Sequence, residues 1–437
     1  MTAPLHALTL GAAARAIREG TLTSETYTRA LLDRIASSDA NVQAWAHLDP
    51  AAVLENARRS DREHGAGAAV GPLAGIGIGV KDIIATADMP TQLGSPIYAG
   101  AKPEFDAECV TRLRRAGGFV LGKTVTTEFA FLHPGKTRNP WSAAHTPGGS
   151  SSGSAAAVAL GHIPAGLGTQ TNGSVIRPAA YCGVVGFKPT VDALPFAGVN
   201  TFSRTLDTLG TFARNVEDCA LVASCLSETG RIAAEVLRRQ APPRLAIVAA
   251  FPWVATSTDQ ARAMESAVAT LRAAGAGVIE LELPEGWSEA HRCLRTIMLH
   301  EGAAELAELQ ASERARMSSK LNAALDEGRA MGEAAYRAAL AKRQALLVEA
   351  TAWLAPYDAV LSPPAPDAAP ADLTQTGDPS CCTLWSLLGA PAISIPIALA
   401  DGGLPLGLQI SAIPGSDDRL LAVARWCEER LPFRGLV

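Results

Sequence analysis

Ligand patterns for metal ions are scarce in this chain of 437 residues. Its eight histidines form no His-x-x-x-His or His-Glu-x-x-His set. Its eight cysteines form no Cys-x-x-Cys pair and show no zinc-like spacing. We therefore predict that no metal takes part, and we interpret the cysteines as small buried side chains in a reducing compartment.

A surplus of positive charge is also missing. The chain has 38 Lys and Arg against 43 Asp and Glu, a net charge of −5, which argues against nucleic acid as the main partner. The apolar stretch at 389–400 is too short to span a bilayer and contains Pro391 and Pro396, so we expect no membrane association. The N-terminus lacks a basic region followed by an apolar core, which favours a mature cytoplasmic start.

Helix-like and strand-like segments alternate along most of the chain. We predict a helix at 108–116 followed by a strand at 119–121. The same alternation continues with a strand at 244–249, a helix at 259–274 and a strand at 277–283. This alternation is typical of an α/β layer arrangement. We find no internal repeat and no low-complexity linker, so we predict one domain over 1–437, with variable helical and loop segments covering a pocket over about 285–385.

The stretch 146–178 contains most of the candidate catalytic residues. It contains a Gly/Ser-rich turn at 148–154, a small-residue helix at 155–160, and a second Gly-rich turn at 166–173 that ends on Ser174. The two turns present serine hydroxyls and backbone N–H groups close together. Such an arrangement suits a nucleophile site that binds an oxyanion.

Three interpretations of these serines compete. Ser151 lies at the centre of a G-x-S-x-G match, but the polar segment before it is a poor strand for a nucleophile elbow. A phosphate loop would need a G-K-[ST] or G-x-G-x-x-G pattern that the stretch lacks. The third is a relay from Ser174 through Ser150 to Lys81, which ends the apolar segment 75–81 and whose pKa would fall if it were buried. Spacing alone does not favour the relay.

A resemblance does favour it. The chain resembles the amidase signature family of serine hydrolases over most of its length, most weakly at 225–350. The motifs that carry the likeness are Val80-Lys81-Asp82, Pro147-Gly148-Gly149-Ser150-Ser151, the segment 168–174 (GTQTNGS) and the segment 182–190 (CGVVGFKPT). The core signature region of the domain spans about 75–225. The resemblance implies an α/β fold with a large mixed β-sheet between layers of α-helices.

The resemblance also assigns roles to residues. Ser174 matches the nucleophile, Ser150 the proton-bridging serine that follows a cis peptide, and Lys81 the base. The backbone N–H groups of residues 171–174 match the oxyanion hole, which brings in Thr171, Asn172 and Gly173 beside Ser174. The implied reaction is hydrolysis of a C–N acyl bond through an acyl-enzyme, and it needs no metal or organic cofactor.

Two departures from the family pattern fall close to the nucleophile. Gln170 stands where the family has Asp, and Asn172 where it has Gly. Arg177 follows the nucleophile by three residues rather than two, which is similar to the malonamidase and carboxybiuret hydrolase branches. We expect Gln170 and Arg177 to contact substrate, with Arg177 either holding a substrate carboxylate or capping backbone carbonyls.

The substrate class stays open at this point. The proton relay does not discriminate between acyl groups, so the reaction is chemically possible with amides, carbamates (urethanes) and esters. We predict a small-molecule amidase that works as a monomer or homodimer. The alternatives are the amide-hydrolysing subunit of a glutamine-dependent tRNA amidotransferase and a catalytically silent binding protein, which the intact set Lys81, Ser150 and Ser174 disfavours.

Overall fold

The computed structural model describes residues 4–66, 71–227, 232 and 241–437. Within these ranges one mixed sheet of 11 strands runs through the molecule in the order β1-β3-β2-β4-β6-β5-β10-β11-β9-β7-β8. The strands are β1 (Trp45–His47), β2 (Gly77–Lys81), β3 (Phe119–Thr124), β4 (Ala165–Gln170), β5 (Val185–Lys188), β6 (Thr208–Ala213), β7 (Arg244–Ile247), β8 (Gly277–Glu280), β9 (Ala359–Ser362), β10 (Ala392–Leu399) and β11 (Pro405–Ser411).

Helices pack against this sheet and against one another. They are α1 (Leu10–Arg18), α2 (Ser24–Val42), α3 (Pro50–Gly65), α4 (Glu108–Arg115), α5 (Ser152–Ala159), α6 (Ile176–Cys182), α7 (Val216–Leu226), α8 (Thr258–Ala273), α9 (Ala290–Glu305), α10 (Ala307–Glu313), α11 (Ser319–Leu354), α12 (Thr383–Leu387) and α13 (Asp417–Glu428). The α/β prediction with a large mixed sheet is confirmed.

Parallel strands bring the functional residues to one edge of the sheet. β2 pairs in parallel with both β3 and β4, so Lys81 and Gln170 end their strands side by side. The carboxyl ends of such strands are the usual place for a ligand site in α/β sheets. Gly79 allows the close packing here, because a Cβ on it would lie 2.4 Å from Ile163.

The structure differs from the sequence prediction at the second Gly-rich turn. The expected turn at 166–173 is strand β4 up to Gln170, and β4 lies beside β6 in the sheet. These two strands pair with each other in antiparallel register, Gly168 opposite Gly210. Both are buried in the middle of the sheet, where glycines leave room for neighbouring side chains. The glycine-rich composition predicted a turn at 166–173, because composition carries no information on this cross-strand partner.

The segment after β8 is mostly helical, as the sequence predicts. Helices α9 and α11 pack along each other, and α12 packs against α9. Together they form a second apolar cluster, separate from the main core, that includes Trp287, Leu294, Leu346 and Trp385. This helical layer lies over the carboxyl edge of the strands that carry the site.

Candidate active site

A lysine at the end of β2 is the most enclosed cation of the site. Lys81 has no exposed surface, and its Nζ donates hydrogen bonds to Ser150 Oγ (2.6 Å) and Thr169 Oγ1 (2.8 Å). Burial lowers its pKa from the usual 10.5 to about 7, and the negative charge of Asp207 opposes this shift. A large fraction of Lys81 is therefore neutral near pH 7 and able to accept a proton.

The first Gly/Ser turn brings Ser150 to this lysine. The peptide between Gly149 and Ser150 is cis, and Ser150 is 2 % exposed. Helix α5 starts two residues later, and Gly153 lets it pack tightly, since a Cβ there would lie 2.3 Å from Ala44 O. Ser150 thus reaches the end of β2 from a rigid support.

Ser151, the serine of the nucleophile-elbow alternative, does not face open space. Its Oγ donates to Thr169 O (3.2 Å) and accepts from Thr169 N (3.3 Å), and the residue is fully buried. Ser151 ties the first turn to β4. This bonding leaves the hydroxyl occupied and argues against a nucleophilic role.

The second turn, residues 171–174, connects β4 to α6. Gly173 adopts φ +80°, a left-handed conformation that glycine tolerates without a steric cost. No described residue accepts a hydrogen bond from the backbone N–H groups of residues 171–174. Ser174 keeps 7 % of its surface exposed and lines the same cavity as Ser150, without a hydrogen bond between the two hydroxyls. Such bonds often tighten only when substrate is bound.

The side chain of Gln170, which we expected to contact substrate, is bonded to protein groups on both of its polar atoms. Its Oε1 accepts from Val175 N (2.9 Å) and Ile176 N (3.0 Å), and its Nε2 donates to Ser386 Oγ (3.0 Å). The side chain is 1 % exposed and does not line the cavity. Gln170 instead caps the amino end of α6 and so fixes the turn that carries Ser174, because it satisfies N–H groups that have no partner within the helix.

Arg177 is buried beneath the nucleophile turn. Its Nη2 donates to Gly149 O (2.7 Å), and its Nε donates to Thr376 O (2.7 Å), so the carbonyl-capping role is present. Its Nη1 has no hydrogen-bond partner among the described residues, and the residue also lines the cavity. One nitrogen of the guanidinium therefore has no acceptor among the described residues.

The cavity has a volume of about 710 Å³. Its apolar wall includes Phe131 and Phe202, whose rings stack with centroids 4.8 Å apart, together with Leu294 and Met298 of α9. Charged side chains of α9 and α11 lie on its outer side, namely Arg295, Lys320 and Glu327, and the loop 375–380 closes another side. The space suits a substrate with an apolar portion next to the reacting bond.

Three residues of the site were missed by sequence reasoning. Thr169 is the second hydrogen-bond partner of Lys81, Thr376 holds Arg177, and Asp207 accepts a hydrogen bond from Thr171 Oγ1 (2.5 Å). The alternation of β4 could have placed Thr169 on the face of Lys81. Thr376 lies in a loop without any pattern, so no sequence signal could have found it.

The described ranges lack two kinds of feature. No group of three or more His, Cys, Asp or Glu side chains in them could hold a metal ion. No helix in the same part of the chain is long and apolar enough to cross a membrane.

A buried lysine, two serines and backbone N–H groups without an acceptor among the described residues thus lie at one end of the central strands of an α/β sheet. The family model described as Amidase matches residues 26–421. The chain therefore belongs to the amidase family, and it is an enzyme that hydrolyses C–N bonds.

Individual relatives extend over the whole chain. It is 33% identical to a glutamyl-tRNA(Gln) amidotransferase subunit of Salinispora arenicola, with 98% of both chains covered. The native peptide amidase of Stenotrophomonas maltophilia superposes with a TM-score of 0.84 at 30% identity, covering 98% of each chain. The structure of a vestigial protein complex that bears on the origins of an s-triazine catabolic enzyme has a TM-score of 0.89 at 25% identity, covering 98% of this chain and 100% of that one.

Proposed function

We propose that this chain hydrolyses the C–N acyl bond of an amide or carbamate through an acyl-enzyme on Ser174. The observation that carries the proposal is the hydrogen bond of 2.6 Å between the buried Lys81 Nζ and Ser150 Oγ, at the edge of the cavity that Ser174 lines. A lysine that is partly neutral near pH 7 supplies the base that a serine nucleophile needs.

The acylation step moves one proton along the relay. Ser174 Oγ attacks the substrate carbonyl while its proton passes to Ser150, whose own proton passes to Lys81. The negative charge on the carbonyl oxygen is stabilised by the N–H groups of residues 171–174, which have no acceptor among the described residues. Lys81 then returns the proton through Ser150 to the leaving nitrogen, and the C–N bond breaks.

The deacylation step repeats the relay with water. A water molecule attacks the acyl-Ser174 ester and gives its proton through Ser150 to Lys81. The proton returns to Ser174 Oγ as the acid product leaves, so no proton is gained or lost by the enzyme. Since no step depends on the acyl group, esters are expected as side substrates.

Arg177 is the proposed contact for a substrate oxygen. Its unpaired Nη1 supports a carboxylate or carbonyl acceptor in the cavity, as in the malonamidase-like branch that the sequence resembles. The same guanidinium holds Gly149 O and Thr376 O, so a substitution there affects the turn as well as the substrate.

A second function has support from the relatives. The Salinispora amidotransferase chain that is 33% identical matches over 98% of both chains, which favours the amidotransferase alternative more than a free-standing amidase. In that role the chain would hydrolyse glutamine and release ammonia to a second protein. It would then work in a hetero-complex, contrary to the monomer or homodimer that we expect from the sequence.

The nucleophile is tested by Ser174→Ala against a panel of amides, carbamates and esters. We expect hydrolysis to fall by at least about 10³-fold, because removal of the nucleophile of such a site leaves only residual catalysis from binding and the oxyanion hole. The matched control is Ser151→Ala, in the neighbouring turn, which loses a bond that supports the site but keeps the nucleophile, so its activity should fall far less. Full activity of Ser174→Ala would overturn the mechanism.

The two functions are separated by substrate and by partner. The purified chain alone should hydrolyse small amides or carbamates faster than glutamine if it is a free-standing amidase. Glutamine hydrolysis that depends on a copurified second protein would establish the amidotransferase alternative and reject the free-standing one.

A further inference from the structure

A carboxylate outside the cavity lining connects the nucleophile turn to its support. Asp207 precedes β6, and its Oδ1 accepts from Thr171 Oγ1 (2.5 Å), while its Oδ2 accepts from Phe202 N (2.7 Å) and Ser203 N (3.0 Å). Although the residue keeps some contact with solvent, both carboxylate oxygens are engaged by protein donors. Asp207 thus fixes Thr171, the first residue of the proposed oxyanion hole, and Phe202, which forms part of the cavity wall.

The loop that Asp207 organises is held from its other side by the helical cover. Glu301 of α9 accepts from Ser203 Oγ (2.5 Å), Thr205 Oγ1 (2.5 Å) and Tyr336 OH (2.7 Å). The segment 202–207 is therefore clamped between two carboxylates. Only one of them, Asp207, also bonds to the nucleophile turn.

Asp207 also acts on the base through its charge. Burial raises the pKa of Asp207 to about 6, and the charge of Lys81 opposes that shift, just as Asp207 opposes the lowered pKa of Lys81. The groups that contact Lys81 directly, Ser150 and Thr169, are uncharged hydroxyls.

The other charged groups of the neighbourhood are occupied elsewhere. Lys123 of β3 donates to Ile84 O (2.6 Å) and lies 3.7 Å from Asp82, and Arg177 holds backbone carbonyls. Glu301 is bonded to the outer side of the loop 202–207. Asp207, which is fixed to the nucleophile turn through Thr171, thus also favours a proton on Lys81 through its charge.

We propose that Asp207 is a positioning residue that holds the Thr171 end of the oxyanion hole and stabilises Lys81 in its protonated form while the relay carries the proton of Ser174. This inference rests on the proposed hydrolysis by Ser174. When Lys81 has accepted the proton, the negative charge of Asp207 favours that charged form, and Lys81 loses the charge again when the proton returns to the leaving nitrogen. Near pH 7 most of Asp207 is ionised, since its pKa of about 6 lies below that pH.

The test is Asp207→Asn in the full chain, assayed as kcat and KM against pH. We expect kcat to fall by about 10- to 100-fold with KM nearly unchanged, since a misplaced oxyanion donor costs rate rather than ground-state binding. The acid limb of kcat/KM should move about 0.5–1 unit to lower pH, because loss of the nearby anion lowers the pKa of Lys81. A purely structural role would not move that limb.

The matched control is Asp218→Asn. Asp218 is likewise a buried carboxylate that accepts from backbone N–H groups, those of Leu10 (2.8 Å) and Gly11 (2.9 Å), but it lies at α1 and α7, away from the cavity. The Asp218→Asn variant should be less stable than the wild type, but the acid limb of its kcat/KM profile should not shift. An Asp207→Asn enzyme whose limb coincides with that of wild type overturns the inference.

Two further variants keep the test decisive. If Asp207→Asn does not fold, Thr171→Val removes only the hydroxyl bond and should lower kcat without moving the acid limb. Unchanged kcat in that variant overturns the inference. An enzyme that stays active as Lys81→Met would instead overturn the proposed function, so the two failures are distinguishable.

Discussion

Lys81 combines full burial with a polar neighbourhood of two hydroxyls. Loss of hydration disfavours its charged form, and Ser150 and Thr169 supply acceptors without supplying a compensating negative charge. The chain contains two other buried lysines, Lys123 and Lys188, whose pKa values also fall, to about 8 and about 7. What distinguishes Lys81 is therefore its position next to a serine at the cavity, and not its pKa alone.

The pH dependence of activity follows from this group. Lys81 must be neutral to accept the proton, so kcat/KM should be constant above its pKa and fall about tenfold per unit as the pH drops below about 7. Lys81→Met should abolish hydrolysis at every pH. Lys188→Met, whose lysine donates to Pro189 O (2.8 Å) away from the cavity, should keep both the activity and the acid limb. A wild-type profile that rises as the pH falls below 7 would contradict this role.

At the scale of elements, the nucleophile turn depends on the cap of α6. Gln170 accepts from two N–H groups at the start of a helix of seven residues, whose own hydrogen bonds are few. Because the capping side chain is a neutral amide, this cap brings no negative charge near the site.

Gln170→Met should destabilise the protein by about 1–3 kcal/mol, because two buried N–H groups lose their acceptor. It should also lower kcat, since the turn that carries Ser174 loosens. The matched control is Gln409→Met, another fully buried glutamine, whose Nε2 donates to Ser362 Oγ (3.0 Å) in β9. Chemical denaturation and steady-state kinetics should show a loss of stability in both variants and a loss of kcat in Gln170→Met alone.

The sequence predicted the elements best where hydrophobic periodicity or capping residues were strong. Helix α4 and strands β3 and β7 begin where expected. Strand β4 and helix α6 were missed, because glycine content and a proline in the first turn of α6 outweighed the cross-strand pairing that forms β4. Local composition carries no information on such non-local partners.

The site residues show the same limit. Lys81, Ser150 and Ser174 came from a family resemblance, whereas Thr376 and Asp207 reach the site through tertiary contacts. Gln170 was assigned to substrate because it departs from the family pattern, whereas in the fold its Oε1 accepts from the backbone at the start of α6 and the residue is not part of the cavity lining.

At the scale of the whole molecule, three buried lysines couple stability to pH. Lys81, Lys123 and Lys188 keep their protons in the unfolded chain up to about pH 10.4. In the folded protein they lose them from about pH 7 to 8. Because the unfolded state then binds more protons than the folded state, the free energy of unfolding rises as the pH increases.

We expect an increase of about 1–2 kcal/mol between pH 7 and 8, after allowance for groups such as Glu428, whose raised pKa of about 7 acts in the opposite direction. Above pH 9 the increase should reverse, because burial raises the pKa of thiols such as Cys109 and Cys382 to about 12. Urea denaturation across this range measures the slope. Lys188→Met should show a smaller rise, and a fall in stability from pH 7 to 8 in the wild type would contradict the linkage.

The central claim is that the acyl group of the substrate becomes covalently attached to Ser174. The most direct measurement is the intact mass of the protein after rapid acid quench of its reaction with a slowly turned-over aryl carbamate, followed by peptide mapping. The account predicts a mass increase equal to the acyl group, mapped to Ser174 and absent in Ser174→Ala. An adduct on another residue would contradict it. Hydrolysis without any adduct, in a variant whose deacylation step is slow, would contradict it as well.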